Sequence, residues 1–466
     1  MNKENSEEEG YVMSSEMIER ALATATQTKD IEFGDGVVAQ TGALFQRLFA
    51  SKRAQVVADE NTFGAAGRAV MDSLKAAGVE CAEPYVFPGH PTLYANWENV
   101  LNVRALVAED PDAILVSIGS GTLNDLAKLA SGQLDRPYMI VATAASVDGF
   151  ASFGASIVKD GFKSTYSCPA PAGIVMDSSI MYGAPARLTA TGYGDLIEKI
   201  PAGADWMLAD ALGIEAIDPI AWDLVQGPLR ATLADPDAIA RGDKDAIAKL
   251  GEGQIMSGLA MQEYQQSRPA SGVGHHFSHV WEMEGQGLDW EPPLSHGFKV
   301  GIGTIASCAI WEEFLALTPD DFNVDRAQAA VKTPEEITQR VHEMVIPKIW
   351  DTATQFCLDK RVEGKELEDR IHLLAQQWPQ LHERAEQQVV KPEEAMSMLK
   401  AAGAPYHPAQ IKITKERLRK THYQAQMIRT RYTVVDILTD LGLMDQVVDH
   451  LFSADGFWGR HSADWE

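Results

Sequence analysis

The sequence predicts an α/β nucleotide-binding domain followed by an all-helical domain, and three observations support this prediction. Over the first 180 residues, short segments that are apolar on both faces alternate with amphipathic segments. Strands buried on both sides that alternate with helices are typical of a parallel sheet. Beyond about residue 180 the strand pattern ends and helical periodicity takes over. A chain of 466 residues also exceeds the usual size of a single core, which favours two domains.

The predicted strands are rich in β-branched residues and lie at residues 54–59, 84–87, 113–118, 138–143 and 173–177. Residues 155–167 depart from this alternation, because two β-rich segments flank Asp160-Gly161, a strong signal for a type I′ hairpin turn. We therefore expect three regions: an acidic tail over 1–30, an α/β domain with a hairpin insertion over 31–180, and a helical domain over 181–466.

Several helix boundaries in the second half can be read from capping residues. Thr333 is an N-cap followed by Pro334 at N1 and Glu336 at N3. A helix that opens at Pro392 is expected to close at Gly403, and a buried helix is expected to end at Gly442. The charged, Gln-rich segment 359–390 is predicted to be a solvated helical hairpin.

Composition excludes several classes of function. The net charge of −26 argues against nucleic-acid or anionic-membrane binding, and it requires any anionic substrate to meet locally gathered basic residues. The first residues are polar and acidic, unlike a secretory signal, and no apolar run approaches the ~20 residues of a membrane span. The four cysteines are far apart and lack CxxC spacing, which predicts reduced thiols and a cytoplasmic protein.

A glycine-rich turn marks the candidate nucleotide site. Gly119, Gly121 and Thr122 follow a predicted strand and precede a helix, so the backbone and the helix N-terminus could approach a pyrophosphate. An ordinary tight strand-to-helix turn is the alternative. The loop also departs from the Rossmann fingerprint, because the candidate ribose-binding acid, Asp59, lies 60 residues before the glycines and not after them.

A second turn, residues 143–149, follows the next predicted strand. Its small residues and hydroxyl groups suit contact with a nicotinamide or a ribose. Asp148 within it could face a polyol hydroxyl, or it could cap a local turn.

The helical half carries a candidate metal site. Four histidines, His275, His276, His279 and His296, fall within 22 residues, and Asp195 stands between glycine and leucine about 80 residues upstream. One carboxylate and two or three imidazoles suffice to hold a divalent metal with a position open for chemistry. His275 and His279 are spaced to share one helix face, which by itself predicts that both are ligands, whereas His276 points elsewhere.

Together these motifs resemble the bacterial glycerol-1-phosphate dehydrogenase family, of the dehydroquinate synthase-like and iron-containing alcohol dehydrogenase superfamily. The resemblance spans roughly residues 55 to 445, and the acid-then-glycine order is also that of the superfamily. The matching segments are GSGTLNDLAK, TAASVDGFAS, TGYGDLIEK with ADW, SRPASG with HHFSHVWEM, SHGFKVGIGT and RTRYTVVDILTDLGL.

The resemblance implies a dehydroquinate synthase-like fold and a role for each matching residue. Asp195, His275 and His296 would bind one divalent metal, either zinc, nickel or iron. His279 would lie against the substrate with Asp148, which replaces the expectation that His279 is a ligand. The residues that would hold NAD(H), or NADP(H), are Asp59, Gly119, Gly121, Thr122, Leu123, Asn124, Asp125, Thr143, Ala144, Ala145, Ser146 and Ser152.

The activity implied is the reversible reduction of dihydroxyacetone phosphate to sn-glycerol 1-phosphate, in phospholipid metabolism, by a homodimer or larger oligomer. A proton for the C2 oxygen would come from His279 or from a water near Asp148. Asp59 against the ribose would repel a 2′-phosphate and so predicts NADH over NADPH. The basic residues considered for the substrate phosphate, each of which could instead be a solvated surface charge, are Lys199, Lys163, Arg268 and Lys299.

Two departures from the family pattern leave alternatives open. Gly274 stands where the family usually has a glutamate beside the first metal histidine, and Ala142 where it usually has proline. Loss of a supporting carboxylate could weaken metal binding or change metal preference. A glycerol-type polyol dehydrogenase and a dehydroquinate synthase-like lyase remain as alternatives, as does a catalytically silent relative.

Overall fold

The structure is a computed structural model that describes residues 15–50 and 52–465. The strands are β1 Asp30–Gly34, β2 Arg53–Asp59, β3 Tyr85–Phe87, β4 Ala113–Gly119, β5 Tyr138–Ala142, β6 Ala155–Lys159, β7 Phe162–Tyr166 and β8 Gly173–Asp177. Six of them form one parallel sheet in the order β1-β8-β5-β4-β2-β3, and β6 and β7 form a separate antiparallel hairpin.

The five predicted strands are confirmed as β2, β3, β4, β5 and β8, and every residue of the central strands β4, β5 and β8 is buried. The hairpin turn is also confirmed, since Asp160 and Gly161 both adopt positive φ angles, 53° and 71°. Strand β1 was not predicted. It is an edge strand in which only Ile31 is buried, so its sequence lacks the apolar character of the other strands.

Seven helices accompany the strands of the sheet half, with a single π turn between the third and fourth. They are α1 Ser15–Thr24, α2 Thr41–Phe49, α3 Glu60–Thr62, α4 Arg68–Ala76, α5 Trp97–Ala108, α6 Gly121–Gly132 and α7 Ser178–Tyr182.

The rest of the described chain is helical, with short 3₁₀ turns between some helices. The helices are α8 Ala186–Leu196, α9 Lys199–Ala211, α10 Pro219–Leu233, α11 Pro236–Arg241, α12 Lys244–Tyr264, α13 Val273–Met283, α14 His296–Leu315, α15 Val324–Ala330, α16 Pro334–Met344, α17 Trp350–Lys360, α18 Gly364–Gln388, α19 Pro392–Ala401, α20 Lys415–Met427, α21 Val434–Asp440, α22 Met444–Leu451 and α23 Phe457–Arg460. The α/β-plus-helical fold class is therefore confirmed. Among the described helices, none combines the length and apolarity that a membrane span requires.

Helix α14 is the centre of the helical half, because it is buried along almost its whole length and packs against α8, α13 and α19. One continuous apolar cluster runs from the sheet half into these helices. The limits proposed for the two domains remain predictions.

Two predictions about polar segments are wrong. Residues 1–14 of the predicted tail lie outside the described residues, but residues 15–24 form α1, which packs against α12 and buries Ala21. The predicted hairpin at 359–390 is instead the single long helix α18, which contains Pro379. Ile371, Leu374 and Trp378 bury one face of α18, and this packing keeps the helix continuous.

The predicted caps agree with the structure. Thr333 and Glu336 form a reciprocal capping box at the start of α16. Gly403 and Gly442 adopt positive φ angles of 77° and 67° just after α19 and α21, where a glycine ends a helix without strain.

Candidate active site

Three predicted metal ligands from three different helices meet at one point. Asp195 lies near the end of α8, His275 in the first turn of α13 and His296 at the first position of α14. Asp195 Oδ1 is 3.4 Å from His275 Nε2 and 4.0 Å from His296 Nε2, and one potential ligand atom from each residue lies within 4.8 Å of the others. A metal ion bound about 2 Å from each donor atom would fit between them.

Close backbone contacts at glycines bring these helices together. A Cβ at Gly297, the residue after His296, would lie 1.9 Å from the Thr191 carbonyl oxygen of α8. A Cβ at Gly303 would lie 2.2 Å from the Gly274 carbonyl oxygen, beside His275. Helix α14 therefore approaches α8 and α13 at backbone distance, which places the two rings beside the carboxylate.

Each metal-site histidine is oriented by a buried carboxylate on its other ring nitrogen. His275 Nδ1 donates to Glu198 Oε2 at 2.7 Å, and His296 Nδ1 donates to Glu282 Oε1 at 3.0 Å. Because each Nδ1 is engaged by a carboxylate, Nε2 is the ring nitrogen that faces Asp195 and would bind a metal once it has lost any proton. Such a donor set suits a divalent metal.

Glu198 is a further candidate residue of the site that the sequence reasoning missed. Its Oε1 also accepts from the backbone N–H groups of Gly272 and His275, at 3.0 and 3.3 Å. A Cβ at Gly274 would lie 2.8 Å from Glu198 Cγ, so the glycine leaves room for this side chain. The glutamate that Gly274 replaces in the family pattern is therefore not needed to provide a carboxylate beside His275. Glu198, from the segment between α8 and α9, provides it. The available signal was a charged residue three positions after Asp195 in a buried segment.

Lys199 balances the two aspartates of the site. Its Nζ lies 2.9 Å from Asp148 Oδ2 and 3.4 Å from Asp195 Oδ1, and the Lys199 side chain is completely buried. Burial alone would raise the pKa of Asp195, but Lys199 and the neighbouring imidazoles hold that pKa far below its usual value. Burial would likewise lower the pKa of Lys199, yet Asp148 and Asp195 raise it. Both groups therefore stay charged at neutral pH.

Asp148 is adjacent to the metal-site carboxylate. Its backbone N–H donates to Asp195 Oδ2 at 2.9 Å, and its own Oδ2 accepts from Ser257 Oγ at 2.9 Å. The side chain therefore has tertiary partners, and it does not cap the 3₁₀ turn Asp148–Phe150.

The carboxylate of Glu282 is shared by four side chains. Besides His296, its partners are Lys163 Nζ at 2.8 Å, Lys299 Nζ at 3.4 Å and His279 Nδ1 at 3.3 Å. Burial opposes ionisation of Glu282, but Lys163 and His296 hold its pKa well below the usual value. Burial lowers the pKa of Lys299 to about 8.

His279 lies beside the triad, with its ring centroid 6.0 Å from that of His275 and 5.8 Å from that of His296. It is not among the three residues whose ligand atoms converge. Burial lowers the pKa of His279 to about 3, so its ring is neutral at physiological pH. His276 points away, and its Nδ1 contacts the Ala425 carbonyl oxygen at 3.1 Å.

The candidate nucleotide residues lie along the carboxyl edge of the sheet. Strands β5, β4 and β2 are neighbours, so the turns after Ala142, Gly119 and Asp59 meet at one edge. Thr143, Ala144, Ala145, Ser146 and Ser152 are buried there. Ligands of open parallel sheets bind at this edge, in particular beside an exposed helix N-terminus such as that of α6.

Some predicted cofactor residues are already engaged by the protein. Asn124 donates to the Gly149 carbonyl oxygen at 3.0 Å and accepts from the Tyr138 hydroxyl at 2.9 Å. Asp125 accepts from the Ser156 N–H at 3.2 Å. Leu123 packs against Gly119, where an added Cβ would lie 2.5 Å from Leu123 Cδ1. Their contacts with a cofactor remain predictions.

Two further residues shape this edge. Asp59 caps α3 by accepting from the Thr62 N–H at 2.8 Å. Lys128, which sequence reasoning did not single out, is completely buried and donates to the carbonyl oxygens of Gly149, Ser152 and Gly154 at 2.9, 2.8 and 3.1 Å. A lysine in the middle of an apolar helix was the available signal.

Comparison with known proteins supports the fold and indicates a family. Residues 32–185 match the family model for iron-containing alcohol dehydrogenase. Two solved structures share the fold: a probable glycerol dehydrogenase from Sinorhizobium meliloti 1021, with TM-score 0.57 and 16% identity, covering 91% of this chain and 98% of that one, and a 1,3-propanediol oxidoreductase, with TM-score 0.58 and 15% identity, covering 91% and 99%. Residues 32–185 thus resemble the iron-containing alcohol dehydrogenases, and the two solved structures share the fold of this chain.

More similar relatives identify the family within that class. A protein from Bacillus licheniformis, named glycerol-1-phosphate dehydrogenase [NAD(P)+], is 32% identical over 350 residues, which cover 73% of this chain and 86% of the relative. A protein of the same name from Halalkalibacterium halodurans is 35% identical over 258 residues, covering 55% of this chain and 64% of that protein. The match thus spans somewhat less than two thirds of the latter relative. The chain belongs to the glycerol-1-phosphate dehydrogenase family.

Proposed function

We propose that the protein catalyses the reversible NAD(P)H-linked reduction of dihydroxyacetone phosphate to sn-glycerol 1-phosphate. The observation that carries this proposal is the convergence of Asp195, His275 and His296 beside Asp148. Membership of a family whose relatives carry the name of this activity supports the choice of substrate.

Asp195, His275 and His296 would hold one divalent metal, and zinc, nickel and iron all suit this donor set. A bound metal would supply Lewis-acid polarisation of the C2 carbonyl. The protein prepares the site by keeping Asp195 ionised through Lys199 and by fixing both imidazole tautomers through buried carboxylates.

Asp148 is proposed to orient a substrate hydroxyl. Lys199 and Ser257 both contact Asp148 Oδ2, and these contacts fix the orientation of the carboxylate. Oδ1 is the oxygen proposed to accept the hydrogen bond from the substrate. A carboxylate held in this way accepts a hydrogen bond without first having to be ordered.

His279 is proposed to accept a hydrogen bond from the substrate. Because its Nδ1 donates to Glu282, its Nε2 is an acceptor. With a pKa of about 3, the ring is not protonated at neutral pH and is a poor source of the proton that the C2 oxygen needs during reduction. That proton is assigned to a water near Asp148.

The dinucleotide is proposed to lie along the sheet edge, with its pyrophosphate at the N-terminus of α6 and its ribose near Asp59. The backbone of residues 119–125 and the small side chains of residues 143–146 would bind it, with Ser152 close by. The nicotinamide would supply the hydride, and the protein would hold it near C2.

A steady-state assay tests the proposal. Purified protein should oxidise NADH with dihydroxyacetone phosphate, lose this activity after chelation and regain it when a divalent metal is added. Chiral analysis should identify the product as sn-glycerol 1-phosphate. Equal or better turnover of unphosphorylated dihydroxyacetone would favour the polyol dehydrogenase alternative. Absence of net NADH turnover would favour a dehydroquinate synthase-like lyase.

Cytoplasmic location and a homo-oligomeric state belong to the same proposal. Cell fractionation tests the location, and light scattering tests the oligomeric state.

A further inference from the structure

Two arginines beyond the predicted site face a cleft at the end of α12. Arg429 and Arg431 follow α20 and line this cleft of about 580 Å³ together with Phe153, Tyr264 and Ser267. Phe153 is the residue after Ser152, so the cleft lies next to the segment assigned to cofactor and substrate.

The two arginines differ from the other basic residues near the site in having no carboxylate partner among the described residues. The three lysines and one arginine that the sequence offers for a phosphate all have a carboxylate partner: Lys199 with Asp148 and Asp195, Lys163 and Lys299 with Glu282, and Arg268 with Glu215. Within residues 15–50 and 52–465, no carboxylate oxygen lies within 4.0 Å of either Arg429 or Arg431. In a protein of net charge −26, two adjacent guanidinium groups without a carboxylate partner are unusual.

Hydrogen bonds hold Arg431 in place and leave Arg429 nearly free. Arg431 Nη1 donates to Ser271 Oγ and Nη2 to Ser267 Oγ, both at 2.7 Å. Arg429 Nη1 donates to the Ile428 carbonyl oxygen at 2.9 Å. Glu215 also lines the cleft. Its carboxylate pairs with Arg268 Nε at 3.3 Å and accepts a hydrogen bond from the Tyr264 hydroxyl at 3.0 Å.

The pair lies next to the metal-site helix. Ser271, the partner of Arg431, is two residues before the start of α13 and four residues before His275. Burial lowers the pKa of Arg429, and the charge of Glu282, the carboxylate behind His296, partly offsets this effect. Burial, Arg268 and Arg429 lower the pKa of Arg431 to about 9. A dianion in the cleft would relieve both the burial cost and the mutual repulsion of the two groups.

We infer that Arg429 and Arg431 form the subsite for the phosphate group of the substrate, an assignment that rests on the proposed function. A guanidinium presents paired N–H donors that match phosphate oxygens, and two of them can surround a dianion. Arg431 is held by two serines and presents a fixed group. Arg429 can move to close on the ligand.

The first test compares substrates that differ only in the phosphate. In the metal-loaded enzyme, the ratio of kcat/KM for dihydroxyacetone phosphate to that for dihydroxyacetone should fall by about 10- to 100-fold in Arg429→Gln and in Arg431→Gln, which is the loss expected when hydrogen bonds to a charged group are removed. Arg431→Lys should fall between Arg431→Gln and wild type, because a lysine keeps the charge but not the paired donors. Arg419→Gln, which removes an exposed arginine that pairs with Asp449 on the neighbouring helix, is the matched control.

The second test needs no turnover. Inorganic phosphate should raise the melting temperature of the wild-type protein and should do so much less in Arg429→Gln, the variant with the smaller structural role. Phosphate protection equal to that of wild type in both glutamine variants, with an unchanged substrate ratio, would overturn the assignment while leaving the proposed reaction in place.

The two failures can be distinguished. If the wild-type enzyme does not reduce dihydroxyacetone phosphate but phosphate protection still depends on Arg429, the proposed reaction is wrong and the cleft is a site for a different phosphorylated ligand. If the ratio falls equally in Arg419→Gln, the effect reflects general charge and the subsite is wrong.

Discussion

The sheet edge and the helical half contribute to the same candidate site in different ways. At the sheet edge, the candidate residues contribute backbone groups and small side chains, and their positions follow from strand order. In the helical half, the side chains of the site are buried and charged, and each is held by an opposite charge from another segment of the chain, as in the contacts of Lys199 with Asp148 and of Glu198 with His275. The helical half is therefore interdependent, and single substitutions there should have larger effects than at the sheet edge.

The largest effect is expected when the shared carboxylate is removed. Asp195→Asn keeps the size of the side chain but should abolish metal retention and lower kcat/KM for dihydroxyacetone phosphate by about 10³-fold or more, because metal polarisation contributes several kcal/mol. Metal content and steady-state kinetics measure this. Asp237→Asn, at an exposed position on α11, is the control. A variant that retained a full complement of metal would contradict the assigned ligand set.

The next effect concerns stability rather than chemistry. Lys199→Met should lower the free energy of unfolding of the metal-free protein by about 3–5 kcal/mol, because Asp148 and Asp195 would keep buried charges without their cation. Denaturant unfolding at neutral pH measures this, and added divalent metal should recover part of the loss by compensating Asp195. Lys365→Met removes an exposed ion pair with Asp369 and should leave the transition where it was. Equal transitions for both variants would show that the buried network is not interdependent.

A smaller effect tests the carboxylate behind the histidine. At pH 9 and above, where a proton competes little for His275, Glu198→Gln should weaken metal affinity by about 10- to 100-fold, since it removes the charge that orients His275. Chelator competition measures the affinity, and Glu312→Gln on the exposed face of α14 serves as control.

The pH dependence of metal binding sharpens this test. Burial would lower the pKa of His275, but Glu198 and Asp195 raise it to about 9 in the metal-free protein. Below that pH a metal must displace a proton, so wild-type affinity should rise about tenfold per pH unit and level off near pH 9. In Glu198→Gln the pKa of His275 should fall, so the slope between pH 7 and 9 should flatten. A slope identical to that of wild type would argue against the role of Glu198.

The smallest effect is expected at the sheet edge. Asp59→Asn should preserve the cap of α3, because asparagine caps as well as aspartate, while removing repulsion of a 2′-phosphate. The ratio of kcat/KM for NADPH to that for NADH should then rise by about tenfold, as expected for about 1.4 kcal/mol of charge interaction. Glu60→Gln, the adjacent exposed carboxylate, should not produce this change.

Residue patterns made some features predictable and left others out of reach. The central strands could be predicted because both of their faces are apolar, and the ligand set because its histidines and aspartate lie in long, specific motifs. Strand β1 escaped prediction because an edge strand with one buried residue has little pattern. The sequence did not predict a role for the arginines of the proposed phosphate subsite. Nothing in the local sequence separates a basic residue without a carboxylate partner from one in an ion pair.

The sequence by itself determined the fold class, the capped helices, the hairpin turn and the three residues that converge, because these depend on local periodicity, backbone preference and family motifs. Only the tertiary structure decided which charges neighbour one another. The ring of His275 is hydrogen-bonded by Glu198 and not by a residue just before it in the chain. Lys199 pairs with two aspartates, whereas Arg429 and Arg431 have no carboxylate partner among the described residues. Electrostatic pairing depends on distances between atoms that lie far apart along the chain, and packing of the helices sets those distances.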